Sequence, residues 1–195
     1  MTITSIKAAG KKTSGFTLLE IMITMAIFSI VMVSVLSTFI LFAKGSLSVG
    51  NYAEMSSQSR KALELFSRDV RAADRLKVTS PKTADGVVYT DAGIELRYPP
   101  YHGARVVRYE YIEGAFRRTE IYDGKATTSD LLTDVRHLQM KFFQTPGANF
   151  TAVSGPAASV DTWAKSIQLD AELLRKVLTA DNTDYIISAR FMMRN

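Results

Sequence analysis

Few side chains in this sequence have the types and spacing that catalysis or metal binding requires. The chain of 195 residues contains no cysteine and only two histidines, His102 and His137. A thiol nucleophile, a disulfide and a zinc site built from several Cys or His residues are therefore excluded. No motif marks a nucleophilic serine, and we interpret each histidine as a structural or surface residue. The sequence thus predicts no catalytic residue and no cofactor.

One small polar cluster could bind a metal ion. Asp181, Asn182 and Asp184 lie close together near the end of the chain, and calcium takes carboxylate and amide oxygens as ligands. The same residue types are common in turns, where their side chains bond to the local backbone. We favour the ordinary turn and keep calcium as a weak candidate.

A group of arginines on two neighbouring predicted strands could bind nucleic acid. Basic side chains interleaved with aromatic rings can follow a phosphate backbone and stack on bases. The alternative is a solvated sheet face on which the arginines pair across strands with Glu110 and Glu120. We favour this alternative and do not expect nucleic acid as a partner. The group consists of Arg105, Arg108, Arg117 and Arg118, with Tyr109 and Tyr111 beside them.

A single carboxylate, Glu20, lies at the start of a long apolar run. The run extends from Ile21 to Ala43 and ends at Lys44, which is roughly 34 Å of helix at about 1.5 Å per residue and enough to cross a bilayer. An ionised carboxylate inside a membrane costs about 2.5–3.5 kcal/mol and is usually paired. The alternative, a Glu20 side chain solvated at the headgroup level, stays open.

The segment before Glu20 limits the roles that the apolar run can have. It is a leader with three lysines, Lys7, Lys11 and Lys12, and it ends at Gly15. A cleaved secretory signal would need a shorter apolar region and a small-residue cleavage site. A plain signal anchor fits the lysines, which would stay in the cytoplasm, but it does not account for Gly15 or Glu20.

The residues from Gly15 to Glu20, Gly-Phe-Thr-Leu-Leu-Glu, resemble the processing motif of type IV prepilins and type II secretion pseudopilins. The resemblance implies that a prepilin peptidase cuts between Gly15 and Phe16 and methylates the new amino group of Phe16. It also implies that Glu20 pairs with this amino group, either its own or that of a neighbouring subunit, during assembly.

The resemblance also implies partners and a location. The partners would be prepilin peptidase, other pilin or pseudopilin subunits, an inner-membrane assembly platform and membrane lipid. The chain would cross the inner (cytoplasmic) membrane once, with its N-terminus in the cytoplasm and its C-terminal domain in the periplasm, and would then enter a filament.

Helical periodicity returns after a weak patch at Gly45–Asn51. Charged residues, Asp69 among them, fill the faces outside an apolar stripe. We expect the stripe to pack on the chain's own sheet, with a coiled coil as the alternative. The helix is predicted to run from about Phe16 to Leu76. The stripe consists of Tyr52, Met55, Ser59, Leu63, Phe66, Val70 and Ala73.

Short alternating segments after Pro81 predict antiparallel strands. A two-residue turn at Glu113-Gly114 should connect two of them, and residues 146–161, rich in Gly, Ala, Ser and Pro, are predicted to be a surface loop. The predicted strand segments are Val87–Thr90, Ile94–Tyr98, Arg105–Ile112, Phe116–Tyr122, Leu131–Val135, His137–Phe143, Ile167–Leu173 and Tyr185–Met192.

We therefore predict an α+β, pilin-like fold in which a long N-terminal helix packs on a small antiparallel sheet domain. The order of strands resembles the J-type minor pseudopilins and W-type minor pilins. The expected function is a minor structural subunit without enzymatic activity. The alternatives are a competence-type subunit that binds DNA, a membrane-anchored periplasmic binding domain and a membrane-tethered enzyme. The predicted segments are a leader (1–15), a transmembrane helix (16–43), an amphipathic helix (44–78) and a sheet domain (79–195).

Overall fold

The computed structural model describes residues 15–99, 105–144, 159–177 and 180–193, with backbone only for 176–177 and 180–183. The chain divides into two compact units, Met1–Gly45 and Ser46–Asn195, called here the first and second units. Its elements are α1 (Leu18–Ala72), β1 (Arg75–Thr79), β2 (Lys82–Ala84), β3 (Val87–Thr90), β4 (Gly93–Arg97), β5 (Arg105–Ile112), β6 (Ala115–Tyr122), β7 (Lys125–Leu132), β8 (Val135–Phe143), α2 (Val160–Trp163), β9 (Ser166–Val177) and β10 (Ala180–Met192).

In the first unit, α1 is apolar on every face. Residues 15–42 are all exposed, and the most apolar window of the helix has a mean hydropathy of 2.5. Its hydroxyl groups bond back to carbonyls in the same helix; Ser29 Oγ, for example, donates to the Met25 carbonyl at 2.8 Å. Because its polar groups are satisfied internally, this helix can lie in a hydrocarbon environment. It is long and apolar enough to span a membrane.

In the second unit, α1 has one buried face, as the stripe predicted. Met55, Phe66 and Val70 are fully buried. The Phe66 ring lies 4.9 Å from the Tyr109 ring on β5 and 5.5 Å from the Phe191 ring on β10. The stripe therefore packs on the chain's own sheets, which confirms the favoured interpretation over a coiled coil.

The helix ends at Ala72, so the prediction that it continues to Leu76, within a 44–78 helical segment, is wrong. Arg75–Thr79 forms strand β1, whose burial alternates, with Leu76 and Val78 pointing inward. The backbone N–H of Asp74 donates to the Arg97 carbonyl at 2.9 Å as pairing with β4 begins. Leu76 would point inward in a helix with a repeat of three residues and also in a strand with a repeat of two. Periodicity alone therefore does not locate the end of the helix.

The strands form two antiparallel five-stranded sheets where a single small sheet was expected. The order is β1-β4-β5-β6-β7 in sheet A and β10-β9-β8-β3-β2 in sheet B. The predicted turn at Glu113-Gly114 is confirmed; both residues have positive φ, and Ile112 pairs with Ala115 across a two-residue loop. Asp85-Gly86 and Asp123-Gly124 make turns of the same kind. Such turns match the twist of the strands they join.

Some sheet predictions need correction. Strands β3 and β5 have the predicted bounds, but β1, β2 and most of β7 were missed. The predicted Leu131–Val135 strand is divided between β7 and β8, because Asp134 adopts a positive φ (58°) at the crossing between sheets. The predicted loop at 146–161 lies mostly outside the described residues. Its end forms α2, where Asp161 Oδ1 accepts a hydrogen bond from the Val78 N–H at 2.9 Å.

Candidate functional site

The predicted processing residues lie at the start of α1. Gly15, Phe16 and Thr17 precede the helix and are exposed. A Cβ atom added at Gly15 would meet no atom of the described residues within 4 Å. The described part of the chain therefore leaves the backbone of Gly15 open to another molecule, such as a protease whose active site closes around the backbone.

Glu20 and Thr17 form a reciprocal cap at the helix N-terminus. The Glu20 N–H donates to Thr17 Oγ1 at 3.3 Å, and the Thr17 N–H donates to Glu20 Oε2 at 3.3 Å. This is a capping box, which satisfies two backbone donors that a helix start leaves open. The carboxylate also lies at the positive end of the helix dipole. Glu20 thus has a partner within the chain before any other subunit is present.

Sequence reasoning missed the role of Thr17, although the signal was present. Thr17-Leu18-Leu19-Glu20 fits the Thr-x-x-Glu pattern that precedes an apolar helical run. The structure brings Gly15, Phe16 and Glu20 together at one helix end, as the motif requires. Cleavage at Gly15, methylation of Phe16 and pairing of Glu20 with the Phe16 amino group stay predictions.

The four arginines predicted on adjacent strands do not form a free basic surface. Arg105 Nε lies 2.7 Å from Glu120 Oε1, Arg108 Nη2 lies 3.1 Å from Glu95, and Arg117 Nε lies 2.7 Å from Asp130. Cross-strand pairing is therefore present with Glu120, as expected, but the other cross-strand partners are Glu95 and Asp130 and not the expected Glu110. Tyr109, one of the two tyrosines proposed to stack on bases, is fully buried.

The fourth arginine, Arg118, belongs to a buried network centred on Asp69. The Asp69 side chain is only 1% exposed. Its Oδ2 accepts hydrogen bonds from Arg118 Nε at 2.7 Å and from Tyr109 Oη at 2.8 Å. Asp69 was predicted to lie outside the apolar stripe of α1, but it is buried together with that stripe. Its partners follow it in the sequence by 40 residues or more, so no local pattern reveals them.

The network fixes the protonation of its members. Burial raises the pKa of Tyr109, and the negative charge of Asp69 and the hydrogen bond to it raise the pKa further, so the hydroxyl remains a donor. Burial alone would lower the pKa of Arg118, but hydrogen bonds to Asp69 and Glu120 raise it overall. Burial also opposes ionisation of Glu120, yet the bond from Arg118 and the charges of Arg118 and Arg105 lower its pKa overall.

The weak calcium candidate lies in a strand where a turn was predicted. Asp181 and Asn182 belong to β10, where Asp181 pairs with Lys176. The backbone carbonyl of Asp184 accepts a hydrogen bond from Tyr52 Oη at 2.8 Å. Among the residues whose side chains are described, no group of three or more His, Asp or Glu is arranged to hold a metal.

Of the two histidines, the structure describes only His137. His137 is an exposed residue of β8 opposite Glu172, as the surface interpretation expected. His102 lies outside the described residues.

Comparison with known proteins bears on the N-terminus. The family model described as the prokaryotic N-terminal methylation motif matches residues 10–36, which contain Gly15, Phe16 and Glu20. The match supports a type IV pilin-like family, with processing by a prepilin peptidase and assembly with other pilin subunits. It suggests a structural subunit, and the apolar N-terminal helix of the described residues fits a membrane anchor. The fold has the α+β pilin-like layout. No curated protein matches the chain.

Proposed function

We propose that the chain is a minor subunit of a type II secretion pseudopilus or a type IV pilus, of the J-type pseudopilin or W-type minor pilin kind. Prepilin peptidase cuts after Gly15 and methylates Phe16, and the mature chain enters a filament from the inner membrane. The match of residues 10–36 to the methylation motif supports the pilin-like part of this proposal, and the resemblance in the order of strands suggests the minor-subunit part.

The orientation follows from charge. Lys7, Lys11 and Lys12 precede the apolar run, and basic residues close to a membrane span stay on the cytoplasmic side. The second unit, Ser46–Asn195, is then on the periplasmic side. It brings no enzymatic activity and contributes to assembly by contacting neighbouring subunits and the inner-membrane platform.

Glu20 has two successive partners in this scheme. In the precursor it caps the helix with Thr17. Cleavage creates a positively charged amino group at Phe16, adjacent to Thr17, and the carboxylate can then pair with this group or with that of a neighbouring subunit. Pairing offsets the cost of about 2.5–3.5 kcal/mol for a carboxylate at membrane depth, so docking of a new subunit is favoured.

Mass spectrometry of the mature N-terminus tests the processing step. Chain purified from its native membrane should begin with N-methylated Phe16. An intact Met1, or a terminus created after Ala43, would contradict the proposal.

A Glu20→Ala variant tests the docking step. It should still be cleaved and methylated but should enter filaments at a reduced rate, measured as the fraction of the chain in sheared or purified filaments. The matched control is Glu64→Gln, an exposed carboxylate further along the same helix. Normal incorporation of the Glu20→Ala chain would show that the carboxylate is not needed for docking.

A further inference from the structure

A polar cleft in the second unit has no role in the proposed processing or docking. Its volume is about 700 Å³, and it lies between the last turns of α1 and the ends of β5 and β6. Pockets with a few convergent polar groups are the usual form of a binding site. The lining side chains include Arg68, Asp69, Tyr98, Arg105, Glu120 and Tyr122.

The charges around the cleft do not balance. Three guanidinium groups (Arg68, Arg105, Arg118) lie against two carboxylates (Asp69, Glu120). Among the described residues, the cluster therefore carries one surplus positive charge. A single negative charge would neutralise it, whereas a doubly charged group would leave one negative charge in excess.

The hydrogen bonds show which arginines carry the surplus positive charge. Arg105 donates from Nε to Glu120 at 2.7 Å, but its Nη2 approaches Asp69 Oδ1 only to 3.6 Å. Arg68 comes no closer to Asp69 than 3.7 Å, and its side chain is 64% exposed. Both distances are too long for hydrogen bonds. Arg68 and Arg105 therefore present N–H groups to the cleft that the wall carboxylates do not engage.

Arg118 gives independent evidence of unsatisfied donors. It bonds to both wall carboxylates, through Nε to Asp69 and through Nη1 to Glu120. Its side chain is only 9% exposed, yet its Nη2 is buried with no hydrogen-bond partner in the described part of the chain. The described acceptors of the cluster thus leave this one donor of Arg118, a residue next to the cleft lining in the ion-pair network, unsatisfied.

Two aromatic side chains, Tyr98 and Tyr122, form part of the cleft wall. The Arg105 guanidinium lies over the Tyr98 ring, 4.3 Å from its centre, and this contact together with the Glu120 bond holds it in place. Tyr122, the cross-strand neighbour of Arg105, is half-exposed and also lines the cleft. A fixed guanidinium loses less entropy when it binds a ligand than a free one does.

We propose that this cleft binds a carboxylate carried by a neighbouring polypeptide. Arg68 and Arg105 would donate to its oxygens, because the planar guanidinium fork matches carboxylate geometry, and Tyr122 would contact the adjoining apolar atoms. The inference goes beyond processing and filament entry, since it assigns a ligand chemistry to the second unit. A free small carboxylate has the same chemistry and forms a separate arm of the test.

The test is a titration of the purified full-length chain in detergent, followed by the arginine Nε–Hε signals in nitrogen-15 NMR spectra. The probes are the peptide acetyl-Ala-Ala-Asp-Ala-Ala-amide, its Asn twin, sodium acetate and sodium chloride. The Asp peptide should shift the Arg68 and Arg105 signals to saturation and bind about tenfold more tightly than the Asn twin, because charge-assisted hydrogen bonds are lost in the twin. Equal shifts with both peptides, or with chloride, would overturn the proposal. Acetate binding as tight as that of the peptide would overturn its assignment to a polypeptide.

Two arginine variants check the site. Arg68→Ala should weaken binding of the Asp peptide about tenfold. Arg71→Ala, an exposed arginine of the same helix outside the cleft lining, should leave binding unchanged. Arg68 is exposed, so its removal should not unfold the chain, whereas loss of Arg105 would also disturb Glu120. Equal effects of the two substitutions would refute the site.

These tests are independent of processing. A chain that binds no carboxylate can still be methylated at Phe16, and a chain that is never cleaved can still bind the peptide. The two proposals therefore fail separately.

Discussion

Two parts of the same helix place their apolar residues in opposite environments. In the first unit, residues 18–42 of α1 are exposed on every face. In the second unit, α1 buries one face, including Met55 and Phe66, against strands of the same chain. The first part has too much apolar surface for a chain alone in water, so its burial must come from lipid or other subunits. The second part obtains its burial from the fold.

The comparison also separates two uses of a carboxylate. The Glu20 side chain is exposed and, in the described part of the chain, its hydrogen bonds are to Thr17, three residues away. Asp69 is buried and bonds to side chains of strands β5 and β6. Glu20 therefore remains available to a second molecule, whereas Asp69 is committed to holding sheet A on the helix. Four substitutions test this contrast, from the largest expected effect to the smallest.

Removal of an aromatic ring should lower the stability of the second unit only when the ring lies in the part of α1 that packs on the sheets. Phe66→Ala should lower the free energy of unfolding of the second unit by about 3–5 kcal/mol, because it leaves a cavity between both sheets and the helix. Phe39→Ala, in the exposed part of α1, should leave this free energy of unfolding unchanged. Urea denaturation of the full-length chain in detergent, followed by Trp163 fluorescence, measures both. A similar loss in the two variants would invalidate the comparison.

Loss of the buried carboxylate of Asp69 should have the second-largest effect on stability. Asp69→Ala should destabilise the second unit by about 3 kcal/mol, because it leaves the Arg118 guanidinium buried beside a missing partner. Glu64→Gln, an exposed carboxylate on the same helix, should change the free energy by no more than about 0.5 kcal/mol. The same denaturation experiment compares them. A negligible effect of Asp69→Ala would mean that the network does not hold the sheet on the helix.

Alkaline pH should reveal the Tyr109–Asp69 bond. The folded-state pKa of Tyr109 is raised by burial and then by Asp69. Its contribution to stability is therefore complete below pH ~10, the unfolded pKa, and is lost as pH rises toward the folded value. Tyr109→Phe should make the free energy of unfolding fall less steeply above pH 10. An unchanged slope in the Tyr109→Phe variant would rule out the assignment.

The smallest effect should be local to the helix start. Thr17→Ala removes one half of the capping box and should cost about 1 kcal/mol of helix stability, which raises amide exchange at Glu20 about fivefold without changing the unfolding of the second unit. Ser37→Ala, whose hydroxyl bonds to the Val33 carbonyl in mid-helix, is the control. Unchanged exchange at Glu20 would show that the cap does not form in detergent.

Local patterns predicted the elements whose signals lie within a few residues. The apolar run, the stripe of α1 and the Glu113-Gly114 turn all follow from short-range periodicity or turn chemistry. Strand β7 was largely missed because residues 125–130 are exposed on both faces and show no alternation. Strand β1 was missed because Leu76 fits a helical and a strand pattern equally well.

The candidate site residues likewise divide into those that a local sequence pattern indicates and those that only the fold brings together. Gly15, Phe16 and Glu20 adjoin the apolar run, so the sequence alone made them candidates, and Thr17 could have been added from the capping pattern. The cleft could not be identified, because its residues come from α1 and from strands of sheet A that pairing brings together.

The sequence by itself determined the methylation motif, the membrane-length run and the presence of antiparallel strands, because each depends on neighbours along the chain. Only the tertiary structure decided that the helix stops at Ala72, that the strands form two sheets and that Asp69 lies inside. A buried carboxylate is stable only when donors surround it. Its donors, Tyr109 and Arg118, reach Asp69 only when β5 and β6 pair and pack on the helix.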